Sequence, residues 1–525
     1  MKKPEPGFSL ELTLELLEHS KNRGEDGTGL LLFGQGLLPG LFHLEKWMGS
    51  GHYMPERVYD LPLAKKPDCV LGHTRYATAG VISMENVHPI QASFHQTHLF
   101  LVMNGEVSFT ERWRKRAEQK NINLHGSTTD TAGCAAKILQ LYLEKKDLAA
   151  SLTEFYKQAF PFGAFTILGL LIDEAQTRFF YLRDGMRPLH SAQFHDFRIF
   201  TSETKPLTSL GLNYAQIEVI PPGAVGIWSL NGGVWEEEKI LDTNKLLKGV
   251  ASRGECSFEY AYFQEFSSIM HGKSLDEIRM EFGRAACREH PPPKGATISP
   301  IPKSGLSAAR GYEEEAFKQG HSVKLREIVL RKAKPVKRGE RSFLGDSLPE
   351  ITRRLRRKFA INAQEAKNQI IVNVDDSIVR GNVSAYVAKL EREAGAKEVR
   401  FISAWPPITG PCYAGIAIEQ GEPLTNILGT LDHEDIACDH KPLEAKLKEG
   451  YVHKEFGPTK FDDIGYVSAQ AVIDTLKKLI KKDFCTGCFT GEYNYICPIN
   501  IKGPARYKKW LDEFIELNGV ERPEV

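Results

Sequence analysis

Between Ile370 and Ser384 the chain reads IIVNVDDSIVRGNVS. The apolar residues from Ile370 to Val374, broken only by Asn373, have the pattern of a strand buried on both faces of a parallel sheet. That pattern ends on two adjacent carboxylates, Asp375 and Asp376. A short loop with Ser377, Arg380 and Gly381 follows, and a helix begins near Asn382–Ser384 and continues through AYVAKLEREAGA. Open α/β sheets bind ligands at the carboxyl ends of their strands, and helix N-termini hold phosphates. Two acids at such a junction can hold the hydroxyls of a polyol or a metal, so the combination points to a sugar phosphate. A solvated Asp-Asp turn would account for the dipeptide alone. It would not account for the SIVRG loop, whose Gly lets backbone come close to a ligand.

The elements that must position these residues follow from Phe258 onward. A helix at Ser274–Glu289, a strand in ATISPIP, a helix at Ser307–Gln319, the strand Ile370–Val374 and a strand in VRFISAW alternate as in a doubly wound α/β fold. The basic stretch LRKAKPVKRGERSFLGDS (330–347) lacks apolar periodicity and reads as a solvated linker or as an anion-binding lid over the strand ends. The first half differs. It contains a helix around Leu10–Ser20, strands at Cys69–Thr74 and His98–Met103, and a helix at Thr131–Leu143. FGAFTILGLLI and RFFYLRD pair as a hairpin-like sheet edge. LKGVASRGECS (247–257) reads as a linker, so domains are expected at 1–250 and 251–480, with a C-terminal segment at 481–525.

A chain of 525 residues holds at least two domains. Its 68 basic and 67 acidic residues leave no global attraction for nucleic acid or anionic membrane. No apolar run reaches membrane-spanning length, and MKKPEPGF lacks the apolar core of a secretory signal. A soluble, cytoplasmic protein with no nucleic-acid or membrane partner is therefore expected; that it acts on small molecules as a homo-oligomer is an expectation that composition does not supply. In a reducing compartment the nine cysteines are not disulfides. Cys485 and Cys488, in FCTGCFTGEY, stand apart: the spacing suits a redox pair, half of a zinc site, half of a cluster site, or a purely structural pair.

VDDSIVRG resembles the phosphoribosyl-pyrophosphate (PRPP) loop of type I phosphoribosyltransferases, in the wording of the amidophosphoribosyltransferase family. The resemblance implies Asp375 and Asp376 on the ribose hydroxyls and magnesium. It implies Ser377 through Ser384, including Arg380 and Gly381, around the 5′-phosphate, chiefly by backbone N–H. The family commonly has two threonines where this chain has Asn382 and Val383. CSFEYAYFQEFSSIMHGKSLDEIRMEFGR (256–284) is similar to the start of the family's transferase domain. PIPKSGLSAARGY (300–312) resembles its pyrophosphate-side loop, which implies Ser304 as a magnesium contact, with Lys303 in place of a family acid. Lys332, Arg341 and Lys358 match basic positions of the family, the first two catalytic. Cys256, Cys412, Cys485 and Cys488 match the ligands of a [4Fe–4S] cluster in one branch of the family; such a cluster requires four thiolates, which zinc would also accept.

In the first half NRGEDGTG (22–29), GHTRYATAG (72–80) and MNGEVSF (103–109) are polar loops beside strands and a helix. In this order they resemble the class II glutamine amidotransferase domain, an N-terminal-nucleophile hydrolase. By that resemblance Arg75 would hold the glutamine carboxylate and Asp130 its amino group. Asn104 and the Gly105 amide would form the oxyanion hole, and Arg23 would brace the site, with Asn22 where the family has His. Members begin with a Cys nucleophile whose own α-amino group is the base. This chain begins Met-Lys-Lys-Pro, and its first cysteine, Cys69, lies inside a strand. Either the start of the sequence differs or the glutaminase is inactive.

The implied fold is α/β and α+β in two domains: an N-terminal-nucleophile-hydrolase-like αββα sandwich, then a doubly wound type I phosphoribosyltransferase sheet. The implied reaction joins ammonia, from glutamine in the family, to C1 of PRPP with release of pyrophosphate, giving 5-phosphoribosylamine for purine synthesis. The alternatives are a phosphoribosyltransferase with another acceptor and a silent paralogue that binds PRPP or nucleotides as a regulator.

Overall fold

The structure is a computed structural model. It describes residues 7–34, 41–50, 54–76, 82–247, 254–332, 355–410, 412, 440–453, 456–492 and 505–522. The chain divides into two compact units: residues 1–255 with 413–416 and 495–525, and residues 256–412 with 417–494. The C-terminal segment from 481 is thus shared: its Cys-x-x-Cys part belongs to the second unit and its final helix, Ala505–Asn518, to the first. Among the described residues no helix is long and apolar enough to cross a membrane.

In the first unit two antiparallel sheets pack face to face. Gly27–Gly34 lies between Leu41–Met48 and Cys69–Arg75. Its run GLLLFG is apolar at every position because both of its faces are covered. Leu31 and Phe33 meet Phe100, Val102 and Leu170 of the second sheet, while Leu30 and Leu32 pack under Leu10 and Leu17 of the helix Phe8–His19. Successive side chains of a strand point to opposite faces, so one strand serves both layers. The second sheet runs Val234–Asp242, Ala224–Asn231, Thr177–Arg183, Gly163–Ile172, Thr97–Val107, Ile90–Phe94. Asp130–Lys145 begins with the Thr129 hydroxyl accepting the Ala132 amide at 3.1 Å. The expected αββα sandwich is present. The pair Gly163–Ile172 and Thr177–Arg183 is antiparallel as expected, but it forms the middle of the six-stranded sheet rather than an edge. A run with nearly every residue buried needs a neighbour on both sides and a layer on both faces.

The second unit is built on a five-stranded parallel sheet in the order Lys324–Leu325, Thr297–Pro300, Ile370–Asp375, Glu398–Ser403, Asp463–Tyr466. This is the expected doubly wound sheet, with the strand carrying the acid pair at its centre. Leu275–Glu289 starts where the Ser274 hydroxyl accepts the Glu277 amide at 3.1 Å, and Leu306–Lys318 and Asn382–Glu393 follow their strands. Val387, Val399, Phe401, Leu443, Phe461 and Ile464 join in one apolar core, which holds the helices on the sheet. A small antiparallel hairpin, Val329–Arg331 with Phe359–Ile361, flanks the strand ends. The expected lid at 330–347 falls, apart from its first three residues, outside the described residues.

Candidate active sites

The strand Ile370–Asp375 delivers Asp375 and then Asp376 to its carboxyl end, both buried at 7 % exposure. An Asp375 carboxylate oxygen accepts the Asp376 amide at 2.9 Å. Asp376 accepts the Ser377 hydroxyl at 2.6 Å and a side-chain bond from Ser304. Burial, and after it the adjacent charge of Asp376, pushes Asp375 well above the ordinary carboxylate range. Burial also raises Asp376, against the opposing pull of Ser304, Ser377, Arg279 and Lys358. Two acids this poorly compensated favour a bound cation or hydroxyl donors.

Ser304 is carried by the turn before the helix Leu306–Lys318. The turn presses onto the strand end so closely that a Cβ on Gly305 would lie 2.4 Å from the Val374 carbonyl oxygen, which explains the glycine after Ser304. Lys303 is exposed. Arg279 is buried, with Nε donating to the Tyr260 carbonyl at 2.9 Å and Nη2 to that of Gln264 at 2.7 Å. It lines a small cavity with Phe282, Ser304, Ala308, Asp376 and Ala404. At the foot of the flanking hairpin the Lys332 amide donates to the Lys358 carbonyl at 3.0 Å, and Lys332 Nζ donates to the Arg356 carbonyl at 2.7 Å. Lys358 acts on both carboxylates. Arg341 lies outside the described residues.

Beyond Ser377 and the half-buried Arg380, the helix Asn382–Glu393 begins. Its first turn bonds as the Ala385 amide donates to the Gly381 carbonyl at 2.9 Å, and the Ser384 hydroxyl donates to the same oxygen at 3.0 Å. The amides of Asn382, Val383 and Ser384 precede that first helical bond and form the anion-facing end of the helix. Asn382 is buried, and its side-chain oxygen sits 2.8 Å from His453 Nε2.

The four cysteines converge within the second unit. Cys256 and Cys485 lie on two short strands that pair with each other. The amides of Thr409 and Gly410 donate to the Cys488 carbonyl at 2.9 and 3.1 Å, which brings the segment ending at Cys412 against the Cys-x-x-Cys turn. Burial raises the Cys488 thiol well above its usual range, and Cys485, Cys256 and Cys412 add to the effect. Among the described residues, however, the cysteines form no trio with sulfurs all within 4.8 Å of one another.

In the first unit Arg75 ends its strand and is 2 % exposed, held electrostatically between Asp26 and Asp130 while burial lowers its pKa. Asp130 opens a helix; its carboxylate accepts the amides of Val107, at 3.1 Å, and Thr131, and burial pushes it up to about 6. Asn104 and Gly105 stand on the strand Thr97–Val107, which that Val107 bond ties to Asp130. The Asn104 amide nitrogen is buried with no hydrogen-bond partner among the described residues. Gly105 has φ of 128°, and a Cβ there would lie 1.9 Å from the Ala164 carbonyl oxygen. Arg23 lies 3.5 Å from the buried Glu203, which also accepts from Asn22 at 2.7 Å. The Cys69 thiol is pushed up to about 12 by loss of solvent, which suits a packed thiol and not a nucleophile.

Sequence reasoning missed Arg279, His453, Glu203, the half-buried His73 and the buried His88. The two imidazoles lie tilted at 34° with ring centres 4.4 Å apart and bond the backbone of Met103, the residue before Asn104, at 3.2 Å from His73 and 3.4 Å from His88. Burial drives His73 down to about 4. His73 lies within the GHTRYATAG segment, two residues before Arg75, and that placement was the available signal; His88 stands outside all three polar segments.

No family model matches the chain. It is similar to curated proteins named amidophosphoribosyltransferase. The one from Methanothermobacter thermautotrophicus is 26 % identical over 485 residues, covering 92 % of this chain and 90 % of the relative. The chloroplastic one from Vigna aconitifolia is 28 % identical over 510 residues, covering 93 % and 89 %. Among solved structures, the glutamine PRPP amidotransferase of B. subtilis, complexed with ADP and GMP, superposes with a TM-score of 0.68 at 23 % identity, over 94 % of this chain and 96 % of that one. A structure described as the allosteric regulatory enzyme of purine biosynthesis gives 0.70 at 23 % identity, over 95 % and 96 %. Along nearly its whole length the chain is similar in sequence to proteins named amidophosphoribosyltransferase, and in fold to solved PRPP amidotransferases.

Proposed function

We propose that this chain transfers ammonia to C1 of PRPP, releasing pyrophosphate and forming 5-phosphoribosylamine. The observation that carries the reading is the buried, under-compensated pair Asp375 and Asp376 at the end of the central parallel strand, beside Ser304 and a helix N-terminus. In this reading the two carboxylates accept the ribose hydroxyls. The amides of Asn382 to Ser384 hold the 5′-phosphate, with Ser377, Arg380 and Gly381 shaping the loop around it. As the C1–O bond to pyrophosphate breaks, charge builds on the leaving oxygens, and Lys332, Arg341 and Lys358 are the cations set to meet it. Ammonia adds to C1 with its lone pair and then loses a proton. The acid pair and Ser304 fit a magnesium ion, which when bound would neutralise pyrophosphate charge.

The amidotransferase half fits glutamine in the same way: Arg75 for its carboxylate, Asp130 for its ammonium and Asn104 with the Gly105 amide for its amide carbonyl. Four gathered thiols fit a [4Fe–4S] cluster. A single zinc with bonds of about 2.3 Å would draw its sulfurs to roughly 3.8 Å apart, closer than a trio here allows. The reading includes a cytoplasmic, homo-oligomeric protein.

Pyrophosphate release should be measured with PRPP and magnesium, supplied with either ammonium or glutamine. Release with ammonium supports the transferase assignment, and added release with glutamine supports the first unit as its nitrogen source. Release with neither refutes the enzyme assignment and favours a PRPP- or nucleotide-binding regulator, to which Lys303 and the Asn382–Val383 pair would be suited.

A further inference from the structure

Among the described residues, apart from the acid pair and the cysteines, a cluster of metal-binding side chains stands in the second unit. Glu289, His290 and His440 each direct a ligand atom to a common point, all within 4.8 Å of one another. Glu289 and His290 end the helix Leu275–Glu289, and His440 caps the helix Lys441–Glu449. A fourth group stands beside the cluster. Glu444, one turn after His440 and therefore on the same helix face, is 5 % exposed, and one of its carboxylate oxygens lies 3.5 Å from His290 Nε2 and 3.4 Å from His440 Nε2.

The surrounding bonds hold these side chains as the outer shell of a metal site does. Glu289 accepts the Ser468 amide at 2.7 Å and hydroxyl at 2.6 Å. Glu444 accepts the Tyr466 amide at 2.8 Å. His290 Nε2 lies 2.9 Å from the Tyr466 carbonyl; the tautomer that donates this bond leaves Nδ1 with the lone pair a metal requires. All the ordering partners come from the turn between the strand Asp463–Tyr466 and the helix Ala469–Ile480.

We infer that Glu289, His290 and His440, backed by Glu444, bind a divalent transition-metal ion of the zinc class. Two imidazoles and carboxylate oxygen form a mixed nitrogen and oxygen set, which zinc accepts in tetrahedral geometry and which magnesium and calcium, as all-oxygen ions, do not prefer. The site is separate in residues and ligand chemistry from both the acid pair and the four cysteines. Bound there, the ion would fasten the end of one helix to the start of another and to the last strand of the parallel sheet.

The test uses the full-length protein, purified and then titrated with zinc and, in parallel, with cobalt. The parent should bind one equivalent more than the His290→Ala/His440→Ala double variant. Its added cobalt should show visible d–d bands without the near-ultraviolet sulfur-to-cobalt charge transfer that cysteine ligation gives. Glu289→Gln, which keeps the size of the side chain, should weaken this equivalent at least about tenfold, since even outer-shell losses cost 10–100-fold. Far-ultraviolet circular dichroism identifies any variant that fails to fold; in that event Glu289→Gln carries the comparison. Equal zinc stoichiometry and affinity in parent and folded variants, or cobalt spectra showing sulfur ligation alone, overturns the assignment.

Discussion

Replacing Asp375 by Asn should make the ligand-free protein more stable and the site useless. Both carboxylates are buried at the end of the central strand, and burial first, then Asp376, raises Asp375. The two carboxyls meet side chain to side chain, and two unit charges about 4 Å apart at an effective dielectric of about 20 repel by about 4 kcal/mol. Arg279 and Lys358 offset part of that, so neutralising Asp375 should add about 1–2 kcal/mol at neutral pH, the usual scale of gain when a strained functional group is removed. For a unit of this size that is a rise of roughly 2–8 °C in Tm. The sign with pH follows from linkage. A carboxyl raised in the folded state binds its proton more tightly there, so the folded protein loses stability as pH rises from the ordinary aspartate value of 3.8 through the raised one. The advantage of Asp375→Asn should therefore shrink as pH is lowered toward that value. Magnesium and PRPP together should raise the Tm of the parent and leave the variant nearly unmoved. Thermal unfolding by circular dichroism, with and without these ligands at several pH values, reads all of this. A variant less stable than the parent at neutral pH, or one that keeps the full ligand-induced shift, refutes the reasoning.

Glu391 is fully buried, accepts from Asn373 at 2.7 Å and is pushed up to about 8 by burial, so Glu391→Gln should gain on the parent as pH rises between about 4.5 and 8, by at most about 1.4 kcal/mol per unit; urea denaturation at the two ends of this range measures it, and a constant gap contradicts it. Gly105→Ala places a Cβ 1.9 Å from the Ala164 carbonyl oxygen at φ 128°, so it should cost about 3 kcal/mol or more and lower the denaturation midpoint of the first unit; an unchanged midpoint contradicts the strand geometry. His453→Ala removes the 2.8 Å contact that fixes Asn382 at the helix start, so PRPP affinity in calorimetry should fall about fivefold, the worth of roughly 1 kcal/mol; unchanged affinity removes Asn382 from the phosphate loop.

The acid pair was legible because everything it needs is local. A buried strand, two carboxylates, a loop and a helix start follow each other between Ile370 and Ser384, and the backbone geometry of strand–loop–helix leaves little freedom in where they point. The αββα half was legible where continuous apolar runs met polar loops, and the one misplacement, the pair Gly163–Ile172 and Thr177–Arg183, concerned order across the sheet. Hairpin pairing is set by neighbours in sequence, whereas position within a sheet is set by strands far away in the chain. Cys256, Cys412, Cys485 and Cys488 were matched by family likeness; their gathering rests on backbone bonds from Thr409 and Gly410 to Cys488, which no spacing encodes.

The amino-acid sequence by itself determined the two-part organisation, the strand that ends on Asp375 and Asp376, and the polar segments at strand and helix ends carrying Arg75, Asn104, Gly105 and Asp130. These depend on short-range periodicity and on residue types adjacent along the chain. Only the tertiary structure decided which charges the acid pair meets, because Arg279 and Lys358 reach it from two separate, earlier segments of the chain. It also decided that Glu203 braces Asn22 and Arg23, that His73 and His88 meet at the Met103 backbone, and that Glu289, His290 and His440 share one point. Such groups meet because packing of helices and strands joins distant segments. The electrostatic consequences appear only once burial has removed the water that would screen each group alone.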